Sequence, residues 1–131
     1  SFFVPLFGDG STKFQPVFID DVSLAVDEII NSKIKGKNIY ELAGPRIYTY
    51  KEFFNYISDF LEKTRVLVPF PMVFMKPMIN IAEKTPISPL TSEQLTLFEK
   101  DNLLLNVDKS FRNLDINPQD TLQILKNIVA N

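Results

Sequence analysis

The 131-residue sequence contains no cysteine, no histidine and no tryptophan. It therefore cannot form a disulfide framework, a zinc site of the usual cysteine and histidine kind or an iron–sulfur cluster, and we expect no metal site. Catalytic systems that pair a serine or cysteine nucleophile with histidine are excluded for the same reason. Acid–base chemistry near neutral pH would have to come from a carboxylate, lysine or tyrosine whose pKa is shifted.

Glycine is also scarce, with four residues against nine prolines. A phosphate-binding loop needs several glycines close together, so a complete dinucleotide-binding fingerprint is excluded. The nearest pattern is Gly8-Asp9-Gly10, which lacks the third glycine. We interpret these residues as a tight turn, with the lining of a ligand cleft as the alternative.

Long apolar runs are absent too, since none reaches the length that spans a bilayer. The chain begins with Ser1 and lacks a charged-then-apolar leader, so we interpret it as a piece of a longer protein. What is present is typical of one globular domain, with 45% hydrophobic and 23% charged residues. The net charge of -2 argues against a nucleic-acid partner, because such proteins usually carry a basic stripe.

Apolar residues recur with the periods of short strands and amphipathic helices. Strands are predicted over residues 14–19, 39–42 and 66–68. Helices are predicted from about residue 21 to 36, from 50 to about 63, over 72–83 with a kink or break at Pro77, from 92 to about 100, and from Asn117-Pro118 onward. A few short strands between helices indicate an α/β fold that would be α+β in isolation.

Two helix starts carry capping boxes. In a capping box the side chain of the N-cap residue accepts from a backbone N–H three residues later, and the side chain of that later residue accepts from the backbone N–H of the N-cap residue. Thr49 with Glu52 forms one, and Thr91 with Gln94 forms the other.

A third start lies at Asp20-Asp21, where Asp20 is the predicted N-cap and Asp21 adds charge in the first turn. The alternative is a carboxylate pair for acid–base work. We favour capping, because it accounts for both residues without a substrate.

The stretch from residue 70 to 81 is apolar on more than one face and contains all three methionines, which suit an adaptable apolar surface. Packing within the protein is the first interpretation, and contact with a partner or a membrane surface is the alternative. The stretch lacks the lysine- and arginine-rich face expected of a helix lying on a membrane. The residues of this candidate partner surface are Phe70, Met72, Phe74, Met75 and Met78.

Several motifs in the same order resemble the extended and atypical branches of the short-chain dehydrogenase/reductase superfamily. Residues 14–22 (FQPVFIDDV) resemble an aromatic-rich strand that runs into a V-x-D-V/L-A segment opening a helix of the C-terminal lobe. Residues 39–45 (IYELAGP) and 48–52 (YTYKE) resemble the next strand and its capped helix, and residues 89–94 (PLTSEQ) with 101–102 (DN) resemble the tail. The combination is most similar to the NAD(P)H-binding accessory subunits of respiratory complex I (NADH:ubiquinone oxidoreductase) and their bacterial relatives.

Residues 114–118 (LDINP) resemble the family's L-G-x-x-P, with Asp115 in place of the glycine. Aspartate tolerates a positive φ better than most residues do, so the turn is expected to survive this substitution.

The resemblance implies that residues 1–131 form the C-terminal, substrate-side lobe of a Rossmann-like protein whose Gly-rich nucleotide half is missing. In the family the phosphate loop and the Tyr-x-x-x-Lys pair lie upstream. NADPH or NADH would therefore bind the full-length protein and not this fragment, and no residue here would be catalytic. The expected cleft-lining residues are Gly8, Asp9, Gly10, Phe14 and Gln15.

The resemblance also bears on the substrate class, because sugar-nucleotide epimerases of the extended branch hold a pyrophosphate with two arginines. Aligned on Asp21 and Asp101, this sequence has Phe14 and Phe98 at those positions. Phenylalanine cannot neutralise a phosphate or donate to it as arginine does. The implied protein binds NADPH but has moved away from sugar-nucleotide turnover.

The sequence thus predicts a structural or assembly role. The alternatives are the C-terminal domain of an active NAD(P)-dependent epimerase, dehydratase or reductase, and a non-enzymatic interaction module. Expected partners are the protein's own nucleotide-binding half and complex I subunits, with peripheral membrane association as a further option. The isolated chain is expected to self-associate. The expected location is the bacterial cytoplasm, at or near the inner membrane, with the mitochondrial matrix as the alternative.

Overall fold

A computed structural model describes residues 3–61, 65–82 and 91–129. It divides into two compact units, Ser1–Phe14 with Tyr48–Asn102 and Gln15–Ile47 with Leu103–Asn131. The mixture of helices and a few short strands confirms the α+β prediction. The elements in chain order are β1 (Phe3–Phe7), β2 (Lys13–Phe14), α1 (Ile19–Asn31), β3 (Tyr48–Thr49), α2 (Tyr50–Phe60), β4 (Val66–Phe70), α3 (Met72–Ala82), α4 (Ser92–Thr96), two 3-10 helices (Val107–Lys109 and Phe111–Leu114) and α5 (Thr121–Val129).

The first unit contains two small sheets. Strands β1 and β4 pair in parallel with Phe3 opposite Val66, and β2 pairs antiparallel with β3. Strand β4 runs through Pro69 to Phe70, two residues beyond the predicted end. Proline fits there because it stands near the end of an edge strand, where a missing N–H costs little. The buried side chains that hold this unit together are Leu6, Tyr48, Ile79 and Leu95.

Both predicted capping boxes are present. In the box that starts α2, Thr49 Oγ1 accepts from the Glu52 N–H at 3.1 Å and Glu52 Oε2 accepts from the Thr49 N–H at 2.9 Å. The same two bonds join Thr91 and Gln94 at 3.2 and 2.9 Å. Helix α4 nevertheless ends at Thr96, short of the predicted residue 100.

Helix α3 continues through Pro77, where a kink or break was predicted. Proline has no N–H to donate to the carbonyl four residues earlier, which belongs to Val73. Val73 is 78% exposed, so water can satisfy that carbonyl and the helix tolerates the missing bond.

The second unit is built from α1, the two 3-10 helices and α5. Ala25 of α1 packs with Phe111 and Leu114 of the second 3-10 helix, and all three are buried. Half-buried neighbours complete this core, namely Val17, Ile29, Tyr40, Leu42 and Ile116. Asp115 ends the 3-10 helix at φ 55°, in agreement with the positive φ expected there.

Two predicted strands are largely wrong. Of residues 14–19, only Phe14 belongs to a strand, and residues 39–42 form none. Residues 15–18 have no strand partner: the Gln15 side chain bonds the backbone of Gly44 and Leu104, and the Pro16 carbonyl accepts from the Thr121 hydroxyl. In the 39–42 segment the Glu41 N–H donates to the Lys109 carbonyl at 2.9 Å.

Two predicted helix boundaries also need correction. Helix α1 stops at Asn31, five residues before Gly36, because the backbone of Ser32 is extended; the Ser32 N–H still donates to the Glu28 carbonyl and closes the last turn. Helix α5 begins at Thr121 and not directly after Asn117-Pro118, since Asp120 Oδ1 accepts from the Leu122 N–H at 3.0 Å and takes the capping role. The end predicted for α2 near residue 63 lies outside the described residues.

Substitution of Gly44 should be far more costly than substitution of Gly36. A Cβ at Gly44 would overlap the carbonyl oxygen of Pro16, whereas a Cβ at Gly36 would meet nothing within 4 Å. Gly36 has φ 86°, so Gly36→Ala should cost only about 1 kcal/mol of conformational strain. Gly44→Ala should lower the free energy of unfolding by about 3 kcal/mol or more, because the backbone at Gly44 must move away from the backbone at Pro16. Urea unfolding of both variants measures this, and equal costs would contradict the close approach.

The α2 capping box should make stability depend on pH through Glu52. The pKa of Glu52 lies below its usual value of 4.5, mainly because its carboxylate accepts from the Thr49 N–H and hydroxyl. Its contribution is therefore complete above the unfolded-state pKa and disappears as the pH falls through the lower folded-state pKa. Glu52→Gln should be less stable than wild type at neutral pH and match it at strongly acidic pH. A constant difference across the titration would contradict the assignment.

Candidate functional site

A cluster of aromatic rings lies in the first unit around Tyr50. The ring of Phe14 stacks on Tyr50 with centroids 4.4 Å apart, and Phe98 packs against the same tyrosine at 4.8 Å. Phe7 and Phe53 extend the cluster on either side, at 4.1 Å from Phe98 and 5.2 Å from Phe14. All five rings are half-buried, so the cluster also forms part of the unit's surface.

Phe14 and Phe98 are the two residues at the positions where the family resemblance places pyrophosphate-binding arginines. Both rings contact one tyrosine, although 84 positions separate them in the sequence. Two hydrogen bonds join the neighbouring segments, since the Thr12 hydroxyl donates to the Phe98 carbonyl at 2.6 Å and the Asn102 N–H donates to the Lys13 carbonyl at 2.8 Å. The two positions thus present phenyl rings and no guanidinium group.

Gly8, Asp9 and Gly10 form the predicted tight turn. The Gly10 N–H donates to the Phe7 carbonyl at 3.3 Å, and both glycines have positive φ, 65° and 76°. Asp9 Oδ1 accepts from the hydroxyl and the N–H of Ser11, at 2.6 and 2.9 Å. These bonds explain the turn without a ligand, and the cleft-lining role of the three residues stays a prediction.

Gln15 acts as a bridge within the second unit. Its Oε1 accepts from the Leu104 N–H at 2.7 Å, and its Nε2 donates to the Gly44 carbonyl at 3.2 Å. The same side chain lines an open cavity of about 440 Å³, together with Gly44, Arg112 and Asp115. Phe14 and the Gly8–Gly10 turn do not line this cavity. Of the predicted cleft-lining set, Gln15 is the one that borders it.

The adjacent residues Asp20 and Asp21 have different surroundings. Asp20 is exposed and is not the N-cap, because α1 begins at Ile19 and Phe18 occupies the cap position without a side-chain bond. Asp21 is only 2% exposed, and its carboxylate accepts from the N–H of Gln119 at 2.7 Å and from the Gln119 side-chain amide at 3.2 Å. The pair therefore does not form a shared acid–base site, since the two carboxylates face different surroundings.

The candidate partner surface is partly exposed. On α3, Phe74 and Met78 are 62% and 60% exposed, whereas Phe70, Met72 and Met75 are half-buried. Val73 and Ile81 of the same helix are exposed as well, at 78% and 69%. The exposed apolar face of α3 thus consists of Val73, Phe74, Met78 and Ile81, two of which the predicted surface omitted.

The shifted pKa values all move away from neutral pH. Hydrogen bonds from Ser11 lower the pKa of Asp9, bonds from Thr49 lower that of Glu52, and burial raises that of Tyr50. At neutral pH both carboxylates are charged and the tyrosine is protonated, so these three groups are not tuned for proton transfer.

The described residues also contain no group of three acidic side chains that could hold a metal ion. In the same part of the chain, no helix is long and apolar enough to cross a membrane.

Two features of the site escaped the sequence reasoning. The burial of Asp21 depends on Gln119, which lies 98 positions away, and the central place of Tyr50 depends on rings from three separate segments. The sequence offers one indication that these two residues matter: Asp21 and Tyr50 both lie within segments that resemble the family.

Comparison with known proteins gives relatives by sequence and neighbours by fold. No family model matches the chain. It is 32% identical over 128 aligned residues to the mitochondrial NADH dehydrogenase (ubiquinone) 1 alpha subcomplex subunit 9 of Arabidopsis thaliana, covering 88% of this chain and 31% of that protein. It is 27% identical over 109 residues to the mitochondrial NADH-ubiquinone oxidoreductase 40 kDa subunit of Neurospora crassa, covering 82% of this chain and 29% of the relative. The chain thus spans less than a third of either relative.

Among the structural neighbours is the triphenylmethane reductase of Citrobacter sp. It matches with a TM-score of 0.69 over 99% of this chain and 45% of the reductase, at 16% sequence identity. At that identity the likeness concerns the fold alone. It confirms the prediction of a C-terminal lobe of a Rossmann-like protein.

Asp21 should matter for stability and Asp20 should not. Asp21→Ala removes the buried carboxylate that accepts from the N–H and the side-chain amide of Gln119, which should lower the free energy of unfolding by about 1–3 kcal/mol. Asp20→Ala removes an exposed carboxylate and should change stability by about 0.5 kcal/mol or less. Chemical denaturation of the two variants gives the comparison. A larger loss of unfolding free energy for Asp20→Ala than for Asp21→Ala would indicate that Asp20 is the N-cap of α1.

Proposed function

Because the chain belongs to the extended short-chain dehydrogenase/reductase superfamily, we propose that residues 1–131 are the substrate-side lobe of an NAD(P)H-binding accessory protein of respiratory complex I. The observation that carries this proposal is the 32% identity to the Arabidopsis subunit across 88% of the chain. NADPH or NADH would bind in the part of such a protein that this chain does not cover. This fragment would close over the bound nucleotide and would not bind it alone.

A structural or assembly role is favoured over turnover by the aromatic cluster. Phe14 and Phe98 both pack against Tyr50, so the two positions that hold a pyrophosphate in sugar-nucleotide epimerases offer apolar rings. The pKa of Tyr50 is raised by burial, which keeps its hydroxyl protonated and makes it a poor base. An active epimerase or reductase remains the alternative, and it requires a Tyr-x-x-x-Lys pair that this chain lacks.

The partner in this proposal is another subunit of the complex, and the contact is the exposed apolar face of α3. Phe74 and Met78 stand on this face, above the half-buried Met75. Faces of this kind are typical of interaction sites, and in the isolated chain they also favour self-association. Both relatives are mitochondrial by name, which supports a matrix location. For a bacterial protein the equivalent location would be the cytoplasm beside the inner membrane.

Calorimetric titration with NADPH tests the domain assignment. The chain alone should give no heat of binding at micromolar concentrations, whereas the longest reading frame that contains it should bind NADPH with micromolar or tighter affinity. NADH serves as the second nucleotide. Micromolar binding by the chain alone would contradict the proposal, and so would a longer protein that binds neither nucleotide.

The association with complex I is tested separately in membranes from the source organism. An antibody against the chain should detect it at the position of NADH:ubiquinone oxidoreductase activity on a native gel. Deletion of the gene that encodes the chain should reduce the amount of assembled complex I in these membranes. If the full-length protein migrates away from that activity, the assignment of complex I as the partner is wrong. That outcome would not contradict the assignment of nucleotide binding, which the calorimetric titration tests.

A further inference from the structure

The last two residues of α1 and the segment that follows them combine lysine with exposed isoleucine. In residues 30–39, which we call the basic loop, Lys33, Lys35 and Lys37 alternate with smaller or apolar residues and are all exposed. The isoleucines of the loop are exposed as well: Ile30 at 74%, Ile34 at 45% and Ile39 at 72%. Nothing in the core of the second unit requires this pattern, because the buried residues of that unit lie elsewhere.

The basic loop has a defined turn with a fourth lysine beside it. The Asn38 side-chain amide donates to the carbonyls of Lys35 and Gly36, at 3.3 and 3.4 Å. Gly36 has φ 86°, which the turn requires and which glycine adopts without strain. Lys109 Nζ donates to Asn38 Oδ1 at 2.9 Å, so a further ammonium group lies against the loop.

Positive charge is therefore concentrated on one part of an acidic chain. The net charge of the chain is -2, and without the three lysines of the basic loop it would be -5. The acidic residues nearest in sequence are Asp27, Glu28 and Glu41. The Asp27 carboxylate already accepts from Asn31 Nδ2 at 3.0 Å, and the Glu41 carboxylate accepts from the Leu105 and Asn106 N–H groups at 2.8 and 3.0 Å. Such a charge distribution orients a protein with this loop toward an anionic surface.

We propose that the basic loop docks on the anionic surface of a phospholipid bilayer. Lysines beside an anionic bilayer are attracted to lipid phosphates, and interspersed isoleucines can enter the apolar layer beneath the headgroups. A nucleic acid would satisfy the lysines but would leave Ile34 and Ile39 in water. The loop also has no aromatic side chain or arginine for stacking on bases. The bilayer is thus the partner that uses both kinds of side chain.

Vesicle co-sedimentation of the 131-residue chain tests the proposal. Phosphatidylcholine vesicles that contain phosphatidylglycerol should bind the chain more tightly than phosphatidylcholine alone, and added salt should weaken the difference. Replacing Lys33, Lys35 and Lys37 with glutamine should lower partitioning into the anionic vesicles about 100-fold, since each lysine contributes about fivefold. Ile34→Asn should also lower it, without changing the net charge.

The matched control replaces Lys51, Lys100 and Lys126 with glutamine, which changes the net charge equally at exposed positions outside the loop. This control should retain nearly all of the binding. Circular dichroism should show the same helix content in all variants, because every substituted side chain is exposed. Equal binding to neutral and anionic vesicles, equal losses in the two triple variants, or binding to duplex DNA without binding to vesicles would each overturn the proposal.

Discussion

The second unit depends on an extended segment, residues 15–18, that is held by side chains and not by a neighbouring strand. Gln15 bonds the backbone of Gly44 and Leu104, and the Thr121 hydroxyl donates to the Pro16 carbonyl. The close approach to Pro16 is possible because Gly44 has no Cβ. One segment is thereby linked to three others that are distant in sequence, and α1 starts where this segment ends.

The contacts of residues 15–18 explain why the family motifs indicate the fold and do not indicate a reaction. In FQPVFIDDV, the glutamine bridges two backbone segments, the proline carbonyl accepts from Thr121, and the second aspartate is buried against Gln119. In the LAGP motif, the glycine allows the approach to Pro16. The residues that carry the resemblance therefore have structural roles in this chain.

The first unit brings two phenylalanines that are distant in sequence against one tyrosine. Positions 14 and 98 are brought together by the bond from the Thr12 hydroxyl to the Phe98 carbonyl and by the backbone bond from Asn102 to Lys13. The side chains at these positions are apolar rings that pack on Tyr50. A surface of this composition suits contact with a protein or an apolar group better than contact with a diphosphate, because rings offer neither charge nor donors. The pKa shifts in this unit do not favour proton transfer either, since those of Asp9, Glu52 and Tyr50 all move away from neutral pH.

The local features were determined by the sequence alone. The two capping boxes, the turn at Gly8-Asp9-Gly10 and the positive φ of Asp115 each depend on neighbours within a few residues, so the pattern of side chains is sufficient. Motif order likewise identified the superfamily. The tertiary structure decided what depends on distant partners: the start of α1 at Ile19, the absence of a strand at residues 39–42, the burial of Asp21 against Gln119 and the meeting of Phe14 and Phe98 at Tyr50. Periodicity predicts which residues prefer an extended backbone, but a strand also needs a partner at the right distance, and only the folded chain supplies or withholds one.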